Sequence, residues 1–174
     1  MKHIYTTVLF ACSAILLLSA CGFHPVYGTN KYTPVGAETR FSQISIGNIP
    51  DRDGQFLRNE LIDNLHRNGP ADQKIYSLNV APLTEQVRQL YVTIDSDTTR
   101  AQLKLLTDIT LTNTQTGEKL LQRRIESTAG YNILGSEFTN RVSEQATRQN
   151  VLKDIARQIE LQLSLYFKRS PEKK

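Results

Sequence analysis

From Ala101 to Thr112 the chain alternates: Ala101, Leu103, Leu105, Ile109 and Leu111 fall on one face, and Gln102, Lys104, Asp108, Thr110 and Thr112 on the other. A period of two is the repeat of a β-strand, so this stretch predicts a strand with one buried face and one wet face. Turn residues run from Asn113 to Gly117, and Leu121, Ile125, Ala129 and Tyr131 then resume the same period. The two stretches predict an antiparallel hairpin. A two-stranded hairpin is not stable alone in water, so its apolar face must be covered by other elements.

Those elements are legible on either side. Phe41, Ile44, Ile46 and Ile49 predict a short strand that ends at Pro50 and Asp51, with Asp53 as the cap of the next element. Leu57, Leu61 and Leu65 recur every four residues, with Ile62 beside them, and predict a helix stopped by Asn68-Gly69-Pro70. A second extended stretch runs from about Lys74 to Ile94. Pro82 interrupts it and implies a bulge or an edge position, because proline has no N–H for the ladder. A long helical pattern capped by Ser136 places Phe138, Val142, Ala146, Leu152, Ile155, Ile159, Leu163 and Tyr166 near one stripe. The expected fold is α+β: two helices packed on one face of a roughly four-stranded, largely antiparallel sheet, in the order β-α-β-β-β-α. The other face of that sheet is left polar.

At the start of the chain, Lys2 and His3 precede an uncharged run from Ile4 to Leu18. About 20 apolar residues are needed to span a hydrocarbon core as a helix, so this shorter run reads as a cleaved export signal over residues 1–20. Leu18-Ser19-Ala20-Cys21 resembles the lipobox of bacterial lipoproteins. That resemblance implies a diacylglycerol thioether on Cys21, cleavage before it and acylation of the new amino terminus. Two or three acyl chains, at about 0.8 kcal/mol per buried methylene, hold a protein firmly at a membrane surface. Residues 21–38 then form a lipidated tether with Phe23, Tyr27 and Tyr32 spaced along it, residues 39–169 a single domain, and residues 170–174 a basic tail. Cys12 leaves with the signal and Cys21 carries lipid, so no internal disulfide is expected and the fold must stand on its core.

Catalytic chemistry needs converging groups, and the mature chain has only His24 in the tether and His66 near the end of the first helix. No pair of histidines stands at metal-ligand spacing, Asp95 and Asp97 read as turn residues, and no glycine-rich stretch resembles a phosphate loop. No metal, cofactor or catalytic residue is assigned. A net charge of +4 is too mild to argue for nucleic acid. The chain reads as a binding or assembly protein. Its repeated chemistry is basic: Arg88, Arg100, Lys104, Arg123 and Arg124 on strands or their turns, and Arg141 at the start of the long helix. These are either ordinary solvated charges or a means of recognising phosphate and carboxylate groups.

The segment Cys21-Gly22-Phe23-His24-Pro25-Val26-Tyr27-Gly28 resembles the opening of the mature lipopolysaccharide-assembly lipoproteins of the LptE family, and the later order of elements is similar. The resemblance implies an outer-membrane lipoprotein facing the periplasm that is not an enzyme. It would sit as a plug inside an LptD-like β-barrel partner that assembles lipopolysaccharide. Gly22 after the lipidated cysteine fits outer-membrane sorting. In the family, basic side chains near the turn between the middle strands and near the start of the last helix are implicated in lipopolysaccharide contact. The matching regions hold Arg100 and Arg141, with Lys104 on the adjoining strand, although loop lengths differ. A free periplasm-facing lipoprotein acting as ligand carrier or envelope scaffold is the alternative, and the absence of a barrel partner would distinguish it.

Overall fold

The computed structural model describes residues 37–90, 99–133 and 136–170. The expectations on the signal, on Cys21 and on most of the tether fall outside these residues. The described elements run α1 (Ala37–Ser42), β1 (Ile44–Ile46), α2 (Asp51–Leu65), β2 (Tyr76–Val80), β3 (Thr84–Leu90), β4 (Thr99–Asn113), β5 (Lys119–Ile133) and α3 (Glu137–Arg169). The mixed α+β class holds, with an open sheet of five strands.

β4 organises the sheet. β5 pairs with it antiparallel from Thr99↔Ile133 to Thr112↔Lys119, and the hairpin turn closes where Gly117 takes a positive φ of 71°. Asn113 Oδ1 accepts the N–H groups of Gln115 and Thr116 inside that turn, as an asparagine at a turn start does. On the other edge of β4, β2 occupies Ile109 to Asn113 and β3 occupies Arg100 to Leu106, both antiparallel. These two strands are the expected second stretch, divided at Pro82. Three residues, Ala81 to Leu83, oppose Thr107 and Asp108 there, so the division is a bulge at the proline. β1 adds to β2 in parallel.

The alternation read in β4 is the burial pattern. Ala101, Leu103, Leu105, Ile109 and Leu111 are buried together with Leu57, Leu61 and Leu65 of α2 and Val151, Leu152, Ile155, Ile159 and Leu163 of α3. α2 and α3 therefore cover one sheet face. Thr107 is also buried in that row, and its hydroxyl donates to Ala81 O at 2.7 Å. The polar residue sits in an apolar row because the bulge leaves a carbonyl there that needs a donor.

Several local expectations are corrected. Phe41 belongs to α1 and not to a strand; its ring lies 6.0 Å from that of Phe167. α2 begins at Asp51 with Pro50 in the cap position, so Asp53 is a residue of the first turn and not the cap. Ser136 does precede α3, but its side chain makes no capping hydrogen bond. Phe138 and Val142 are 77% and 53% exposed, so the apolar stripe of α3 is buried only from Thr147 onward. α2 ends at Leu65, ahead of Asn68-Gly69-Pro70, and His66 follows it; the ring Nε2 donates to Ile44 O at 3.0 Å, fastening α2 to β1.

Candidate functional site

The face of the sheet turned away from the helices carries the even-numbered residues of β4. Arg100 and Lys104 stand on it, and the pairing Leu90↔Arg100 and Arg88↔Gln102 brings Arg88 next to Arg100 on the same face. Neighbours on this face are the polar Gln102, Thr110, Thr112, Thr128 and Gln122, together with Leu106 and with Leu90, which pairs directly across from Arg100 and is 46% exposed. Lys104 Nζ reaches Glu126 Oε2 at 2.8 Å, and Arg124 holds Asp108 through two bonds of 3.0 and 3.1 Å. The Arg124 guanidinium lowers the Asp108 carboxyl below the ordinary aspartate range. Among the described residues, Arg88 and Arg100 form no ion pair. Arg123 sits at the alternate phase of β5, beside Ile109, and is not part of this row.

Arg141 lies elsewhere. It is in the first turns of α3, on the helix-covered side, exposed and paired with Glu137 one turn earlier. The structure therefore joins Arg100 and Lys104 on one face, whereas Arg141 belongs to the helix that covers the other. All three nevertheless lie towards the same end of the domain: Glu144 and Arg148 face Tyr131, which pairs with Ala101, the residue after Arg100.

Arg141 also borders a cleft of about 520 Å³ between α2 and α3, together with Arg52, Asp53, Phe56, Glu144 and Arg148. Arg148 dominates its floor. That side chain is 19% exposed and is bound by Asp53 Oδ2 at 3.0 Å, Glu85 Oε2 at 2.6 Å and Glu144 Oε1 at 3.0 Å. One guanidinium thus ties α2, β3 and α3 together, and its hydrogen bonds to Glu85 raise its own pKa and lower that of Glu85. Only the Glu144–Arg148 spacing of four was visible in the sequence; Asp53 and Glu85 arrive through the fold.

The sign of the pH dependence follows. A carboxylate whose folded pKa is depressed stabilises the fold above its ordinary pKa and loses that contribution as the pH falls through the folded value. Arg148→Met should reduce stability by about 1–3 kcal/mol at pH 7, discounted towards the lower end because the carboxylates are partly exposed. The gap between variant and wild type should close as the pH drops below about 4, the ordinary carboxylate range. Urea titrations at a series of pH values measure both; a gap constant down to pH 2 would refute the carboxylate role.

Residues 41–163 match the model of a family described as LptE, lipopolysaccharide-assembly. The chain belongs to the LptE family. Its fold also recurs in solved structures. A putative lipoprotein from Caulobacter crescentus superposes with a TM-score of 0.61 at 20% identity, covering 78% of this chain and 98% of that one. A minor lipoprotein from Acinetobacter baumannii gives 0.58 at 23% identity, with coverages of 75% and 95%. The rare lipoprotein B from Shewanella oneidensis gives 0.54 at 12%, with 72% and 94%. No curated protein sequence matches the chain. LptE proteins are non-enzymatic outer-membrane lipoproteins of lipopolysaccharide assembly, so this chain has a role in that process and is not an enzyme. Among the described residues no helix is long and apolar enough to cross a membrane.

Proposed function

We propose that this LptE-family chain is acylated on Cys21 after removal of residues 1–20, is held at the periplasmic side of the outer membrane, and plugs an LptD-like β-barrel that assembles lipopolysaccharide. Residues 21–38 act as the tether, 39–169 as the plug and 170–174 as a basic tail. The family match over residues 41–163 is the observation that carries this reading. A largely polar sheet face that no described helix covers supports it: in a barrel lumen such a face meets polar walls and glycolipid, with Leu90 beside Arg100 as an apolar contact.

Direct contact with lipopolysaccharide is assigned to two patches. Arg100 and Lys104 serve the open sheet face, where Arg100 offers a bidentate fork to a phosphate and Lys104 a point charge that must exchange Glu126 for the ligand. Arg141 serves the opposite side, beside the cleft. Because the patches do not converge, each should contribute separately. Arg100→Glu and Arg141→Glu should each weaken lipopolysaccharide binding several-fold, with the double variant close to the product of the two. Thermal melting should be unchanged, since both residues are exposed surface positions. Unaltered binding in the double variant would remove them. Extraction of the full chain in mild detergent should recover it with an outer-membrane barrel; recovery as a monomer would instead support a free lipoprotein carrier.

A further inference from the structure

The chain that precedes the domain enters at α1, and α1 is fastened to the far end of α3. Arg40 Nη1 donates to Ser170 O at 2.8 Å and to Phe167 O at 3.4 Å, and its guanidinium lies 5.6 Å from the centre of the Phe167 ring. The point where a lipid tether would join the domain is therefore also the point where the C-terminal tail leaves. Cations gather there. Lys168 and Arg169 close α3, both exposed and, among the described residues, without an ion pair. Lys74 Nζ bonds Ser42 O at 2.8 Å. Among the described residues of these stretches, Arg40, Lys74, Lys168 and Arg169 stand against Glu38 and Asp72, so the cations are in excess.

Aromatic groups share this end. Phe167 packs edge-on against Tyr76 at 5.1 Å and Tyr166 at 5.4 Å, and both tyrosines are only partly buried. Half-buried tyrosines beside lysine and arginine are the composition that settles at the headgroup level of a bilayer. Arginine and lysine in the last turn also complement the negative end of the helix dipole, but that requirement explains Lys168 and Arg169 alone and not their coincidence with the tether junction.

We propose that this end of the domain, centred on Lys168 and Arg169, is a second membrane contact that binds anionic phospholipid headgroups and seats the domain against the leaflet carrying its lipid. Residues 22–36 span roughly 50 Å when fully extended, far more than the screening length of about 8 Å at physiological salt. Beside the proposed barrel contact, an electrostatic seat would hold this end of the domain towards the leaflet that carries the lipid. The inference rests on the proposed anchoring at Cys21 for its purpose, while its test does not need the lipid.

Every buried apolar residue among those described lies between Phe41 and Phe167, so the mature chain carrying Cys21→Ser retains the whole described core. Sedimentation of this chain with phosphatidylglycerol–phosphatidylethanolamine vesicles should show binding that is lost in high salt and absent with phosphatidylcholine vesicles. Each basic residue near an anionic surface multiplies partitioning about fivefold, so Lys168→Gln with Arg169→Gln should reduce binding on the order of tenfold or more. Lys168→Glu with Arg169→Glu should abolish it. A matched melting temperature for the glutamine pair keeps the reading independent of folding. Binding insensitive to the glutamine pair, or equal on phosphatidylcholine, overturns the proposal even if mass spectrometry of the native chain finds Cys21 acylated. An unacylated native chain that still binds anionic vesicles through Lys168 and Arg169 would instead overturn the anchoring alone.

Discussion

Ile159→Ala should lower the free energy of unfolding by about 2–5 kcal/mol, whereas Phe138→Ala, on the same stripe of the same helix, should stay within about 0.5 kcal/mol of wild type. Ile159 is fully buried against the sheet, so truncation removes apolar contacts and leaves a cavity that the packed neighbours fill only in part. Phe138 is 77% exposed, and no residue from 137 to 146 is buried. A helix of 33 residues is about 50 Å long, and its first turns run past the part of the sheet that can bury them. Denaturant titrations of both variants, with the slope against denaturant checked for constancy, measure the contrast. A comparable loss in Phe138→Ala would mean that the first turns of α3 pack after all.

The second large effect has a sign opposite to helix propensity. Alanine is favoured over glycine inside a helix by about 1 kcal/mol, so Gly54, in the first turn of α2, looks like a position to improve. It is not. A Cβ at residue 54 would stand 2.7 Å from Ile49 Cγ2 and 3.0 Å from the carbonyl carbon and oxygen of Ile49. Ile49 is completely buried and β-branched, so its side chain has little freedom to turn away, and its backbone has none. Gly54→Ala should therefore destabilise the domain by about 1–3 kcal/mol, and Gly54→Val by more. Thermal melting of the two variants decides it, and a stabilised Gly54→Ala would show that the loop between β1 and α2 yields.

Not every part of the fold was equally legible. The hairpin of β4 and β5 was read correctly in phase and in turn because a half-buried antiparallel strand writes its burial directly into alternate residues. Pro82 was equally informative, since a missing N–H forces a bulge or an edge wherever it falls. Phe41 misled because a single apolar residue beside a three-residue strand is consistent with either period, and only its packing on Phe167 places it in α1. Asp53 misled for a different reason: aspartate is a good cap and an equally good ion-pair partner, and Arg148, distant in sequence, claims it.

The candidate site divides the same way. That Arg100 and Lys104 share a face follows from their even spacing on one strand, and no structure was needed to see it. That Arg141 lies across the sheet from them, while Arg88 lies beside Arg100, depends on which elements pack together.

Periodicity and local chemistry alone determined the types of the longer elements and the buried faces of β4, β5 and α2, because those properties depend on residues a few positions apart; that the chain is not an enzyme comes from its family. Adjacency was decided by tertiary structure: β2 and β3 sharing one edge of β4, Thr107 serving the bulge, Arg148 gathering three carboxylates, and α1 meeting the end of α3. Each joins residues distant along the chain, and side-chain spacing carries no information about such partners until packing brings them together.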